Sequence, residues 1–100
     1  YTPSIHDETK AEGILKIDLG VEKNGYIADM AFTIDLTENN KYLEMINLNK
    51  DILKKTIDSL SYESKTLDIG NNISELLNNK EFNIIKNVTG HSVVKDLSQI

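Results

Sequence analysis

Asn24-Gly25 constrains this chain more than any other pair of neighbours. A two-residue hairpin loop of type I′ needs positive φ at both central positions, and Asn followed by Gly tolerates this well. The flanks agree with such a turn. Leu15, Ile17, Leu19 and Val21 alternate with Lys16, Asp18, Gly20 and Glu22 on one side. Tyr26, Ala28, Met30, Phe32 and Ile34 alternate with Ile27, Asp29, Ala31, Thr33 and Asp35 on the other. A period of two across residues 14–36 predicts an antiparallel hairpin.

The turn also sets the register. Lys23 should face Tyr26, Val21 should face Ala28, Gly20 should face Asp29, and Asp18 should face Ala31. Opposed residues share a face, as do alternate residues along a strand. Asp18 and Asp29 are therefore expected on one face as diagonal neighbours, roughly 7–8 Å apart at Cα. The rest of that face is mostly small: Gly20, Ala31 and Thr33, with Ile27 toward the turn. The opposite face carries Leu15, Ile17, Leu19, Val21, Met30, Phe32 and Ile34, which suit packing on helices. Two readings of the aspartates stay open. They are solvated positions on a polar strand face, or they form a floor for a cation that relieves their mutual repulsion.

The remaining pattern is helical. Residues 1–12 read as an irregular polar lead-in, with Pro3 and mixed charges opposing regular structure. Asn39 or Asn40 can cap a helix. Its stripe would be Tyr42, Leu43, Met45, Ile46, Ile52, Leu53, Ile57 and Leu60. After a polar connector at residues 61–65, a second helix is predicted over 66–80 with Leu67, Ile73, Leu76 and Leu77 inward. Gly70 weakens that helix by about 1 kcal/mol of propensity. Phe82, Ile84 and Ile85 suggest a short strand, residues 88–92 a turn, and Val93-Val94 a further extended piece. The fold class is α+β: an antiparallel hairpin, two covering helices and a further strand.

Charge and composition narrow the function. A net charge of −5 argues against a nucleic-acid partner and gives no help toward anionic membranes. The absence of cysteine excludes a disulfide framework, a thiolate metal site and a cysteine nucleophile. No apolar run approaches the roughly 18 residues of a membrane span. The chain opens at Tyr1 without an initiator Met, which suggests an excerpt of something longer.

His91, after Gly90 and beside Thr89 and Ser92, can act as a ligand or general base, or be an ordinary loop histidine. His6, among acids in the lead-in, reads as a solvated residue. Glu44 and Glu75 belong on the solvated sides of covering helices. Two carboxylates and an imidazole suit Mn, Fe, Co or Zn better than Mg or Ca. They are too few to complete a dinuclear centre, so further ligands would come from outside the chain.

The segments from Ile17-Asp18-Leu19-Gly20-Val21 to Asn24-Gly25-Tyr26-Ile27-Ala28-Asp29-Met30-Ala31-Phe32-Thr33 closely resemble the signature of type 2 methionine aminopeptidases. Asn87-Val88-Thr89-Gly90-His91-Ser92 resembles the family segment that holds a metal-binding histidine. Tyr1-Thr2-Pro3 and Leu67-Asp68-Ile69-Gly70 also resemble family segments, and the likeness is looser in the first helix. Prolidases and aminopeptidases P usually place Ser before the second Asp and Thr-Arg after it, whereas Ala28, Met30 and Ala31 stand here. Type 1 enzymes usually read Gly-His-Gly-Ile-Gly, whereas Ser92 and Val93 follow Gly90-His91 here.

The resemblance implies one half of a pita-bread (creatinase/aminopeptidase) fold, so residues 1–100 would be a partial peptidase domain whose second half lies elsewhere. It implies two divalent metal ions, with Asp18 chelating one, Asp29 bridging both and His91 binding the other. Activity would be removal of the N-terminal methionine from nascent polypeptides by a monomeric, cytoplasmic enzyme. No catalytic residue other than these ligands would lie in the chain. An upstream histidine, a downstream histidine and two glutamates would lie outside it, so the segment alone should be inactive. The family glycines expected near Glu81 and around residues 61–65 are absent, which touches turns rather than chemistry. Two alternatives differ in class: a non-catalytic pita-bread binding module, which typically loses metal ligands, and a prolidase-like metallopeptidase.

Overall fold

The computed structural model describes residues 3–86 and 90–93. Its elements are β1 (Ile14–Lys23), β2 (Tyr26–Asp35), α1 (Leu43–Ser59) and α2 (Thr66–Leu77). The two strands form one antiparallel ladder from Ile14 opposite Asp35 to Lys23 opposite Tyr26, with the register the turn predicts. Asn24 and Gly25 hold φ of 55° and 83°, the left-handed pair that matches the twist of the flanking strands. The Glu22 carboxylate accepts the Gly25 N–H across the turn. At the open end, the Leu36 N–H donates to the Gly13 carbonyl at 2.8 Å.

The helix that follows is not capped by asparagine. Asn40 adopts φ of 49° and Tyr42 takes the N-cap position. The residues that lead into the helix are tied to the end of β2 instead: Asp35 Oδ2 accepts the N–H of Tyr42 at 2.7 Å, and Thr37 Oγ1 accepts the N–H of Lys41, just before the cap, at 3.0 Å. Thr37 in turn donates both its backbone N–H and its hydroxyl to Asp35 Oδ1, at 2.8 and 2.5 Å. One carboxylate thus ties the strand to the residue that caps the helix. It explains why α1 leaves the sheet where it does.

α1 packs on α2 and against β2. Among the described residues its buried side chains are Ile46, Ile52 and Thr56. Thr56 belongs to a polar seam: Asn72 of α2 donates to Thr56 Oγ1 at 3.3 Å and to Ser59 Oγ at 3.2 Å. Leu67 is not inward as predicted but 67% exposed at the start of α2. α2 also ends earlier than predicted, because Asn78 leaves helical geometry and Asn79 turns left-handed at φ 64°. Residues 82–86 form no strand; a strand exists only where its backbone groups find a ladder partner. Of the predicted turn and following extended piece, residues 88, 89 and 94 lie outside the described residues.

α1 covers the hairpin only in part, and α2, predicted as a second covering helix, packs on α1 rather than on the sheet. Leu15, Ile17 and Ile34, near its open end, are half-buried, while Val21 and Met30, toward the turn, are 60% and 58% exposed. The radius of gyration, 16.3 Å, exceeds the about 13 Å of a compact domain this long. The extents are 46 × 42 × 21 Å, a flattened shape. No helix among the described residues is long and apolar enough to cross a membrane.

Candidate metal centre

The observed register puts Asp18, opposite Ala31, and Asp29, opposite Gly20, on one face of the ribbon. Gly20 matters because of what it lacks. A Cβ there would lie 4.0 Å from Asp29 Oδ1 and 3.7 Å from the Ala28 carbonyl oxygen, so glycine leaves open the space beside the Asp29 carboxylate. Asp29 is the more sheltered of the two, with 34% of its side chain exposed against 63% for Asp18.

His91 comes to this face from the far end of the sequence. Its Nε2 stands 3.1 Å from Asp29 Oδ2. Its Nδ1 lies 2.9 Å from the Ser92 carbonyl oxygen, so Nδ1–H donates there. Neither that carbonyl nor the Asp29 carboxylate can donate, so the ring donates from both nitrogens here; when it gives up one proton, the Ser92 contact keeps Nδ1–H and leaves the lone pair on Nε2. The Ser92 carbonyl is also the main reason the imidazole holds its proton more tightly than usual. Partial desolvation opposes this, while the charge of Asp29, the hydrogen bond to Asp29 and then the charge of Asp18 add to it.

The contact is short-range for one pair and looser for the third group. Asp29 and His91 touch, whereas the Asp18 carboxylate is 3.7 Å from Lys16 Nζ on the same strand. Among the described residues no three His, Cys, Asp or Glu groups converge closely enough to hold an ion by themselves. His6 is exposed beside Ser4, and Glu44 and Glu75 are exposed on their helices, away from this face as expected. Two participants were not legible as such in the sequence. Lys16 had a signal, its i, i+2 spacing from Asp18. The Ser92 carbonyl had none, because every residue carries one.

The profile of metallopeptidase family M24 matches residues 1–99. The chain belongs to that family. A methionine aminopeptidase of Methanocaldococcus jannaschii is 33% identical to it, over 91% of this chain and 31% of that protein. One of Archaeoglobus fulgidus is 35% identical, over 98% of this chain and 33% of that protein. Methionine aminopeptidase 2 of Debaryomyces hansenii is 34% identical, over 93% of this chain and 24% of that protein. The M24 chain thus spans about a third of the length of the first two relatives. No solved structure matches it.

M24 membership implies use of a divalent metal, and the residues present suit one. The donors are carboxylate oxygen and an imidazole nitrogen with a fixed tautomer, the set preferred by Mn, Fe, Co and Zn. Gly20 keeps the adjoining space clear. By number they would make up part of a ligand set rather than the whole of one.

Proposed function

We propose that the protein containing this chain is a methionyl aminopeptidase, and that Asp18, Asp29 and His91 are ligands of its two-metal centre. The observation that carries the reading is the 3.1 Å contact of His91 with Asp29, on the same hairpin face as Asp18, in a chain of family M24. The names of the relatives supply the substrate class: protein N-termini that begin with methionine.

The metals, Co, Mn, Fe or Zn, would polarise the scissile carbonyl and acidify water. The chain's own residues do the positioning. Asp18 and Asp29 present oxygens from a rigid ladder, and the Ser92 carbonyl aims His91 Nε2 toward them. The small side chains of Gly20, Ala31 and Thr33 leave that face low enough for a peptide end to approach. Residues 1–100 would be one half of a pita-bread domain, the other half bringing the two glutamates and a histidine. The enzyme would act on nascent polypeptides in the cytoplasm as a monomer.

The test uses the full protein, stripped of metal and reloaded in turn with Mn, Co, Fe or Zn. Release of methionine from a Met-Ala-Ser peptide is measured beside cleavage of an X-Pro dipeptide. We expect methionine release by at least one loaded form. Asp29→Ala should lose it by about 10³-fold or more, the scale seen when an essential member of a catalytic unit is removed. Cleavage of X-Pro with no release of methionine would replace this reading with the prolidase one.

A further inference from the structure

The ligand face carries a cation of its own. Lys16 precedes Asp18 by two residues on β1, so both side chains rise on the same side of the ribbon. Lys16 Nζ stands 3.7 Å from Asp18 Oδ2. Among the hairpin residues no other lysine or arginine shares this face; Lys23, opposite Tyr26, belongs to the apolar side. Both members of the pair are largely exposed, and such pairs add little to folding stability. Their effect is on local charge. An ammonium group at this distance neutralises part of the Asp18 carboxylate and repels any second cation that approaches it. Asp29 is paired differently, with an imidazole that can itself serve as a ligand.

We propose that Lys16 is a built-in counter-ion of Asp18, a positioning residue that competes with divalent metal for this carboxylate and lowers the affinity of the centre. The proposal rests on the reading of Asp18, Asp29 and His91 as ligands. In the absence of metal, Lys16 holds the carboxylate and limits its repulsion from Asp29. When metal binds, the ammonium must give up Asp18, and the ion is held less tightly than the donor set alone would allow.

Metal affinity tests this without reference to turnover. The metal-free full protein, its Lys16→Gln and Lys16→Arg variants, and Asp29→Ala are titrated with Mn²⁺ by calorimetry at low and high salt. Far-UV circular dichroism confirms that each variant is folded. Lys16→Gln should bind Mn²⁺ about three- to tenfold more tightly than wild type at low salt. The difference should shrink at about 0.5 M salt, where exposed charges are screened. Lys16→Arg should match wild type. Equal or weaker binding by Lys16→Gln, with wild type binding normally and Asp29→Ala impaired, overturns the proposal and leaves the ligand assignment intact. Failure of wild type to bind Mn²⁺ more tightly than Asp29→Ala overturns the ligand assignment, and this proposal with it.

Discussion

The hairpin and the helical pair are held together by different forces. The hairpin owes its geometry to a continuous backbone ladder and a left-handed two-residue turn, while much of its apolar face stays exposed. The helical pair owes its geometry to burial: Ile46, Ile52 and Thr56 sit inside, and Asn72 stitches the two helices across a polar seam. The candidate ligands Asp18 and Asp29 lie on the first kind of structure. Their placement follows from strand register, which tolerates side-chain change but not backbone change.

Large-to-small substitution separates the two regions most strongly. Ile46→Ala in the full protein should cost about 2–5 kcal/mol, the usual range for a buried aliphatic side chain. Val21→Ala, at a position 60% exposed, should stay within about 0.5 kcal/mol. Urea unfolding of both variants measures the gap, and equal losses would contradict the division drawn here.

A backbone change should reverse the order of harm at the proposed metal centre. Gly25 adopts φ of 83°, and a β-branched residue there is strained by about 1–2 kcal/mol. Gly25→Val should therefore weaken Mn²⁺ binding although residue 25 is not a proposed ligand, whereas Val21→Ala should leave binding unchanged. Calorimetric titration of the pair decides it; unaltered binding in Gly25→Val would mean that the turn does not govern the spacing of the aspartates.

The smallest expected effect lies where the two regions join. The Thr37 hydroxyl, followed by the backbone N–H groups of Tyr42 and Thr37, holds the Asp35 carboxyl below the usual carboxylate range. The folded value is thus lower than the unfolded value of about 3.9. The stabilisation is complete above that pH and is lost as pH falls through the folded value. Asp35→Asn should flatten this acid limb of the stability profile, measured by urea melts between about pH 2.5 and 6. An unchanged limb would assign the acid sensitivity to other carboxylates.

What could be read in the sequence divides along the same line. The register from Lys23–Tyr26 to Asp18–Ala31 was legible because one dipeptide fixes the loop and a period of two fixes the faces. The pairing of His91 with Asp29 was expected only through family resemblance, since no periodicity links positions so far apart. The Asp35 cap was hidden because its partner lies seven residues away, not at the usual capping distance. Thr56 was hidden because it is polar, and its burial depends on a donor, Asn72, that only the packing of α2 brings to it. The strand suggested by Phe82, Ile84 and Ile85 shows the limit of composition: apolar content favours extended backbone, but only a neighbour with matching hydrogen bonds makes it a strand.

Among the described residues the sheet stops at two strands. Ribbons of two strands coil more strongly than broader sheets, since nothing beside them resists their natural handed rotation. Diagonal positions on such a surface move relative to one another as the coil tightens or relaxes. The gap between the Asp18 and Asp29 carboxylates is therefore a mechanical property of the ribbon, and any strand joining either margin would retune it without touching a ligand.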